Sequence, residues 1–210
     1  MKRRTVGPNR RSFTGRHVGA KGTARVRYES GLERDLLTLV RFREDFVDVV
    51  EQPVTVKFID SAGTARSYTP DFKVIFRTKT VIYEVKYRDE LRKNWDLYRE
   101  HFRYMRGWAQ SQGMQFRFAT DLTIRTVRFY NVRQITPFRH TAVSPEISAQ
   151  IATAIGDGRM SILDLVQRLC PKLEDRGAFY PVLYGMLAQR TLAMNFDKPL
   201  GMHALIWIPI

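Results

Sequence analysis

Asp71, Glu84 and Lys86 are the residues whose types and spacing could do chemistry. They fall within Tyr68–Glu90, YTPDFKVIFRTKTVIYEVKYRDE. Phe72, Val74 and Phe76 alternate with polar residues there, as do Val81, Tyr83 and Val85, which predicts two strands and a tight turn. Centring the turn between Thr78 and Lys79 pairs Asp71 with Lys86 and Lys73 with Glu84, all four on one face. Glu84 and Lys86 then project the same way about 7 Å apart, with Val85 between them turned into the core. Two carboxylates bind a hard divalent cation such as Mg2+ through oxygen. Such a cation polarises a scissile phosphate, lowers the pKa of a bound water and stabilises the leaving oxygen. A neighbouring lysine orients or deprotonates that water, or neutralises charge in the transition state. The pattern also has a plain alternative, an Asp–Lys surface ion pair worth little.

The surrounding sequence must position these groups. Ser30 opens a predicted helix in SGLERDLLTLVRFRE, with Leu32, Leu36, Leu39 and Val40 on one face. Ser30 and Glu33 have the spacing of a capping box, a sufficient reason for Glu33 by itself. VDVV and PVTVKFI read as strands, and DSAGTARS as a turn-rich link. After the hairpin, Leu91, Trp95, Tyr98, Phe102, Met105 and Trp108 recur in steps of three and four, which predicts one helix with both tryptophans in the core. MQFRFAT alternates as another strand, and DLTIRTVRFYNVRQI reads as helical. Residues 28–138 therefore read as α-β-β-β-α-β, a sheet with helices against it.

The last third is different. Ser144 caps a helix with Pro145 at its first position, SILDLVQRL forms a second, and FYPVLYGMLAQRTL a third, with Pro181 confined to the first turn. TLAMNF and ALIWIPI follow as two strands. Three helices and a ribbon is the order of a winged helix; a helical cap on the preceding domain is the alternative. The expected organisation is a basic flexible arm over 1–27, a nuclease domain over 28–138 and a winged-helix-like domain over 139–210.

Thirty-five Lys and Arg against 21 Asp and Glu give a net charge of +14, which points to a polyanionic partner, most often nucleic acid. Residues 1–27 carry nine basic residues and no acid, an arm suited to phosphates. A membrane partner is not expected, for want of a spanning apolar run or a basic amphipathic segment. Cys170, the single cysteine, rules out an internal disulfide, suits a reducing cytosol and reads as a buried small hydrophobe. The four histidines are scattered without metal-ligand spacing.

Pro70-Asp71 followed by Glu84-Val85-Lys86 resembles the PD-(D/E)xK nuclease superfamily. ESGLERDLL, EQPVTVKF, YTPDFKV and YEVKYRDEL, in this order, resemble the TnsA endonuclease family, the restriction-enzyme-like subunits of heteromeric transposases. The resemblance covers about residues 28–130, with a looser match of element order to 210. It implies an α/β, restriction-endonuclease-like mixed sheet flanked by helices, followed by a winged-helix-like C-terminal domain. It implies an active site of Glu33, Asp71, Glu84 and Lys86, with Glu33, Asp71, Glu84 and Val85 as the metal-binding set for Mg2+, for which Mn2+ substitutes. It further implies DNA transposon ends as substrate, cut at their 5′ ends. The implied partners are a DDE-type transposase, TnsB, and an AAA+ ATPase, TnsC, in the bacterial cytoplasm at the nucleoid. Gln52 falls in the same pattern and is read as helping to hold a water or Lys86; Tyr87 and Arg88 are weighed between DNA channel and solvated surface. A stand-alone restriction or repair nuclease shares the same site. A winged-helix regulator on an inactive nuclease scaffold is the reading from another class.

Overall fold

A computed structural model of the chain describes residues 26–209 and the backbone of 15–17. The expected basic arm falls largely on residues 1–14 and 18–25, outside the described residues. The described chain forms two compact units, the first ending at Ile124 and the second beginning at Arg125.

In the first unit β1 (Gly15–His17) and β2 (Val26–Tyr28) pair antiparallel. α1 (Gly31–Arg41) starts where Ser30 predicts, because the Ser30 hydroxyl accepts the Glu33 N–H. It buries Leu32, Leu36, Leu37 and Val40. Four strands form the main sheet in the order β3 (Phe46–Glu51), β6 (Phe72–Phe76), β7 (Thr80–Val85), β8 (Gln115–Ala119). Between β3 and β6 the chain makes a separate ribbon, β4 (Val56–Ile59) with β5 (Ala65–Tyr68). The last three residues of the expected turn-rich link, Ala65, Arg66 and Ser67, are thus strand. Asp60 gathers the turn by accepting from Ala62 and Thr64, and Gly63 takes the left-handed backbone that closes it.

β7 and β8 run parallel while the other sheet neighbours are antiparallel. A parallel pair needs a crossover, supplied by α2 (Arg88–Lys93) and α3 (Trp95–Ser111). The single predicted helix is therefore two, broken at Asn94 with φ −117° and ψ 24°. The break turns Trp95 outward at 47% exposure, against the expectation of a core residue, while Trp108 stays half-buried. The sheet is covered on both faces. Leu32, Leu36 and Val40 pack with Phe72, Val74, Phe76, Val81 and Val85 on one side, joined by Ile124 of α4 (Asp121–Ile124). Ile82 packs with Met105 and Ala109 of α3 on the other.

The hairpin register corrects the sequence reading. Phe76 N–H donates to Lys79 O at 2.8 Å, so the turn is centred on Arg77 and Thr78. The pairs are Phe72 with Tyr83 and Lys73 with Ile82. Lys73 therefore does not face Glu84, and the register carried one step further sets Asp71 beside Glu84 rather than Lys86. The slip is an even number of residues, so every side chain keeps its predicted face.

The second unit contains α5 (Val127–Ile135), a 3-10 turn over Thr136–Phe138, α6 (Pro145–Ile155), β9 (Met160–Ser161), α7 (Ile162–Leu169), α8 (Leu173–Gln189), β10 (Ala193–Met194) and β11 (Leu205–Trp207). Ser144 and Ser161 cap α6 and α7 by accepting from Ile147 and Asp164. α8 begins eight residues before Pro181, which therefore lies inside the helix. Pro181 has no N–H for the carbonyl of Gly177, a residue that is exposed and open to water, so the break is tolerated there. The three short strands form an antiparallel sheet in the order β10-β11-β9. β9 was not anticipated; two residues are too few to show alternation. Asn131 of α5, 4% exposed, donates to Phe196 O and Lys198 O and accepts from Leu200 N–H, holding the β10–β11 connection. Cys170 is buried, as read from sequence.

Candidate active site

Asp71 enters β6 just after the buried Pro70 and is tied on both sides. Its Oδ2 accepts the Val85 N–H at 2.7 Å, and its carbonyl accepts the Gln52 N–H at 2.8 Å. Gln52 carries φ +43°, a left-handed backbone that a non-glycine residue rarely adopts. Glu84 sits on the α3-covered face of β7, which leaves it 2% exposed. Its Oε1 lies 2.6 Å from Lys86 Nζ. Its Oε2 is buried with no hydrogen-bond partner of ordinary geometry, as is the nearby hydroxyl of Tyr68. Lys86 Nζ also donates to the Val85 carbonyl at 3.3 Å.

Glu33 on α1 keeps its capping role. Its Oε2 accepts the Glu29 N–H at 2.8 Å and its Oε1 accepts from the Ser30 hydroxyl at 2.9 Å. It is also within electrostatic reach of the strand acids: burial first, then the charge of Asp71, pushes its pKa up to about 7. Burial and then Glu84 push Asp71 up to about 7 as well. Burial raises Glu84, opposed by Lys86. For Lys86, burial works against the charged form, but Asp71 and Glu84 more than offset it and the pKa rises. The cluster thus holds three mutually repelling carboxyls and one firmly cationic lysine.

Among the described residues no three or more His, Cys, Asp and Glu side chains stand together as a ready metal cage. Mg2+ does not require one, since it is commonly held by one or two carboxylates with waters and substrate phosphate. The donor set suits such an ion on two counts. A buried Glu84 oxygen has only the Tyr68 hydroxyl close by and no hydrogen bond of ordinary geometry, and a divalent cation offsets both the burial and the charge repulsion that raise the acids. Asp71 and Glu84 are the donors this fits; the Val85 carbonyl is taken by Lys86 Nζ, and Glu33 by its cap.

Two participants escape the sequence reading. Tyr68 closes over Glu84 from the end of the β4–β5 ribbon, and burial followed by the Glu84 charge raises its phenol pKa. Only the YTPD run hinted at it, by adjacency. Glu29 orders Glu33 through its N–H and receives the Gln52 amide at 3.3 Å, so Gln52 does not reach Lys86 through that contact.

A mixed four-stranded sheet with helices packed on both faces, two acids and a lysine on one of its hairpins, is compatible with a restriction-endonuclease-like fold. Residues 43–121 match the family described as TnsA-like endonuclease N terminal. That part of the chain is similar to the N-terminal endonuclease domains of the TnsA-like family, which supports a nuclease of the TnsA type. The match takes in Asp71, Glu84 and Lys86 but begins after Glu33. No curated protein matches the chain. No described helix is long and apolar enough to cross a membrane.

Proposed function

We propose that this chain is a Mg2+-dependent DNA endonuclease subunit of a heteromeric transposase, cutting transposon DNA at its 5′ ends. The observation that carries the reading is the Asp71–Glu84–Lys86 cluster at the end of the β6–β7 hairpin, with Glu84 Oε1 2.6 Å from Lys86 Nζ and Asp71 held by the Val85 N–H, inside the stretch that matches the TnsA-like family. When bound, the metal supplies Lewis-acid activation of the phosphate and a more acidic water. Asp71 and Glu84 would hold it, and the Val85–Asp71 hydrogen bond fixes the carboxylate that faces it. Lys86, charged across the physiological range, neutralises negative charge building on the phosphoryl oxygens. Glu33 either completes the metal set or remains the cap.

The net charge of +14 supports a nucleic-acid substrate. The order α6-β9-α7-α8-β10-β11, with β9 adding to the ribbon, supports a winged-helix reading of the second unit. Partners of the TnsB and TnsC kinds belong to the same reading.

The test is strand cleavage of transposon-end DNA with and without a partner transposase. Mg2+-dependent 5′-end cutting that disappears in Asp71→Ala and Glu84→Gln is expected. Cutting retained by both variants overturns the assignment. Efficient cleavage of naked DNA by the chain alone favours a stand-alone nuclease instead.

A further inference from the structure

Arg88, Leu91, Arg92 and Trp95 line a surface groove of about 330 Å3. Their spacing, steps of three, one and three, places them along one side of α2 and its junction with α3. The groove begins two residues beyond Lys86, and Glu90 of the same helix acts on the Lys86 charge, so α2 lies within electrostatic reach of the site. The Arg88 N–H is anchored by Asp121 Oδ1 at 2.7 Å. Trp95 rests against the buried Phe102, ring centroids 6.3 Å apart, and keeps nearly half its surface open. Arg88 and Arg92 are exposed, and among the described residues neither guanidinium makes an ion pair or hydrogen bond. Glu90 is occupied by the Tyr98 hydroxyl at 2.9 Å, and Asp89 and Asp96, though exposed, do not line the groove.

A large aromatic ring left open beside two unengaged guanidinium groups matches one ligand chemistry well, a nucleotide with a free base face and neighbouring phosphates. A base inside a duplex has no free face, so the ring can stack only on an unstacked one. We propose that this groove is a subsite for an unpaired nucleotide of the strand being cut, its base on Trp95 and its flanking phosphates on Arg88 and Arg92. The proposal rests on the nuclease reading and names a feature of its substrate, a locally opened strand beside the scissile bond.

The test is binding of the full chain, in EDTA so that no cleavage occurs, to a fluorescein-labelled duplex and to the same duplex carrying three unpaired nucleotides. The native chain is expected to prefer the DNA with unpaired nucleotides. Trp95→Ala should abolish that preference and weaken this binding about 5- to 100-fold, while Trp95→Phe retains most of it. Arg88→Ala and Arg92→Ala should each lower the salt dependence by about one phosphate contact. Trp95→Ala that melts like the native chain and binds both DNAs unchanged overturns the subsite, even if cleavage by the native chain is confirmed. Trp95-dependent binding in a chain that never cuts supports the subsite and removes the nuclease reading.

Discussion

Lys86 Nζ and Glu84 Oε1 stand 2.6 Å apart, yet the two residues lie two apart along the chain at the end of β7 rather than as partners across the hairpin. Glu84 is nearly sealed while Lys86 keeps 22% of its side chain open. The lysine is thus the charged lid on a buried acid, and removing either member has different consequences.

Lys86→Ala should lose cleavage and also cost about 3–5 kcal/mol of stability, because it leaves a buried carboxylate unpaired. The loss should shrink as pH falls, because protonation of Glu84, whose pKa burial raises, removes the unpaired charge. Glu84→Gln combined with Lys86→Met should recover most of the stability and none of the activity. Chemical denaturation of the two variants and the native chain decides this; a Lys86→Ala protein as stable as the native one would show the pair to be idle.

The acids make the metal-free protein sensitive to pH. Glu33 and Asp71 rise from 4.5 and 3.8 to about 7. Between those limits the folded chain binds more protons than the unfolded one, so stability falls as pH rises from about 4 to about 7 and then levels off. Thermal melting from pH 5 to pH 8 should show this slope, and Asp71→Asn should flatten it. A native chain that melts higher at pH 8 than at pH 5 contradicts the account.

Mg2+ competes with those protons. Its stabilising effect on the native chain should therefore be larger at pH 8 than at pH 6 and lost in Asp71→Ala. An equal effect at both pH values places the ion elsewhere.

Ser30→Ala removes the α1 cap without touching a strand acid. It should cost about 1 kcal/mol in urea denaturation and leave Mg2+-dependent cleavage intact. Loss of cleavage on this change alone would mean that the cap, by fixing Glu33, is itself part of the site.

In the second unit Asn131→Ala should cost about 1–3 kcal/mol, since it removes three part-buried hydrogen bonds that hold the β10–β11 connection. Arg128→Ala, which breaks an exposed ion pair with Asp197, should cost less than about 1 kcal/mol. Equal losses would place the connection's support elsewhere.

Local pattern carried much of this protein. Ser30 and Glu33 marked the start of α1, and the alternation of Phe72, Val74 and Phe76 set which face of β6 is buried, because both signals are written in neighbouring residues. Period two also made the shared face of Asp71, Glu84 and Lys86 legible despite a misplaced turn: a two-residue slip changes partners but never faces. What neighbours could not encode was decided by distant contacts. Helix α3 covers the polar face of β7, and that burial, invisible in YEVKY, raises Glu84. The break at Asn94 turned Trp95 out of an apolar stripe that period alone placed in the core. Tyr68 reaches Glu84 because a ribbon folds beside the sheet. Burial and electrostatic coupling depend on what packs against a strand, and only the tertiary structure supplies that.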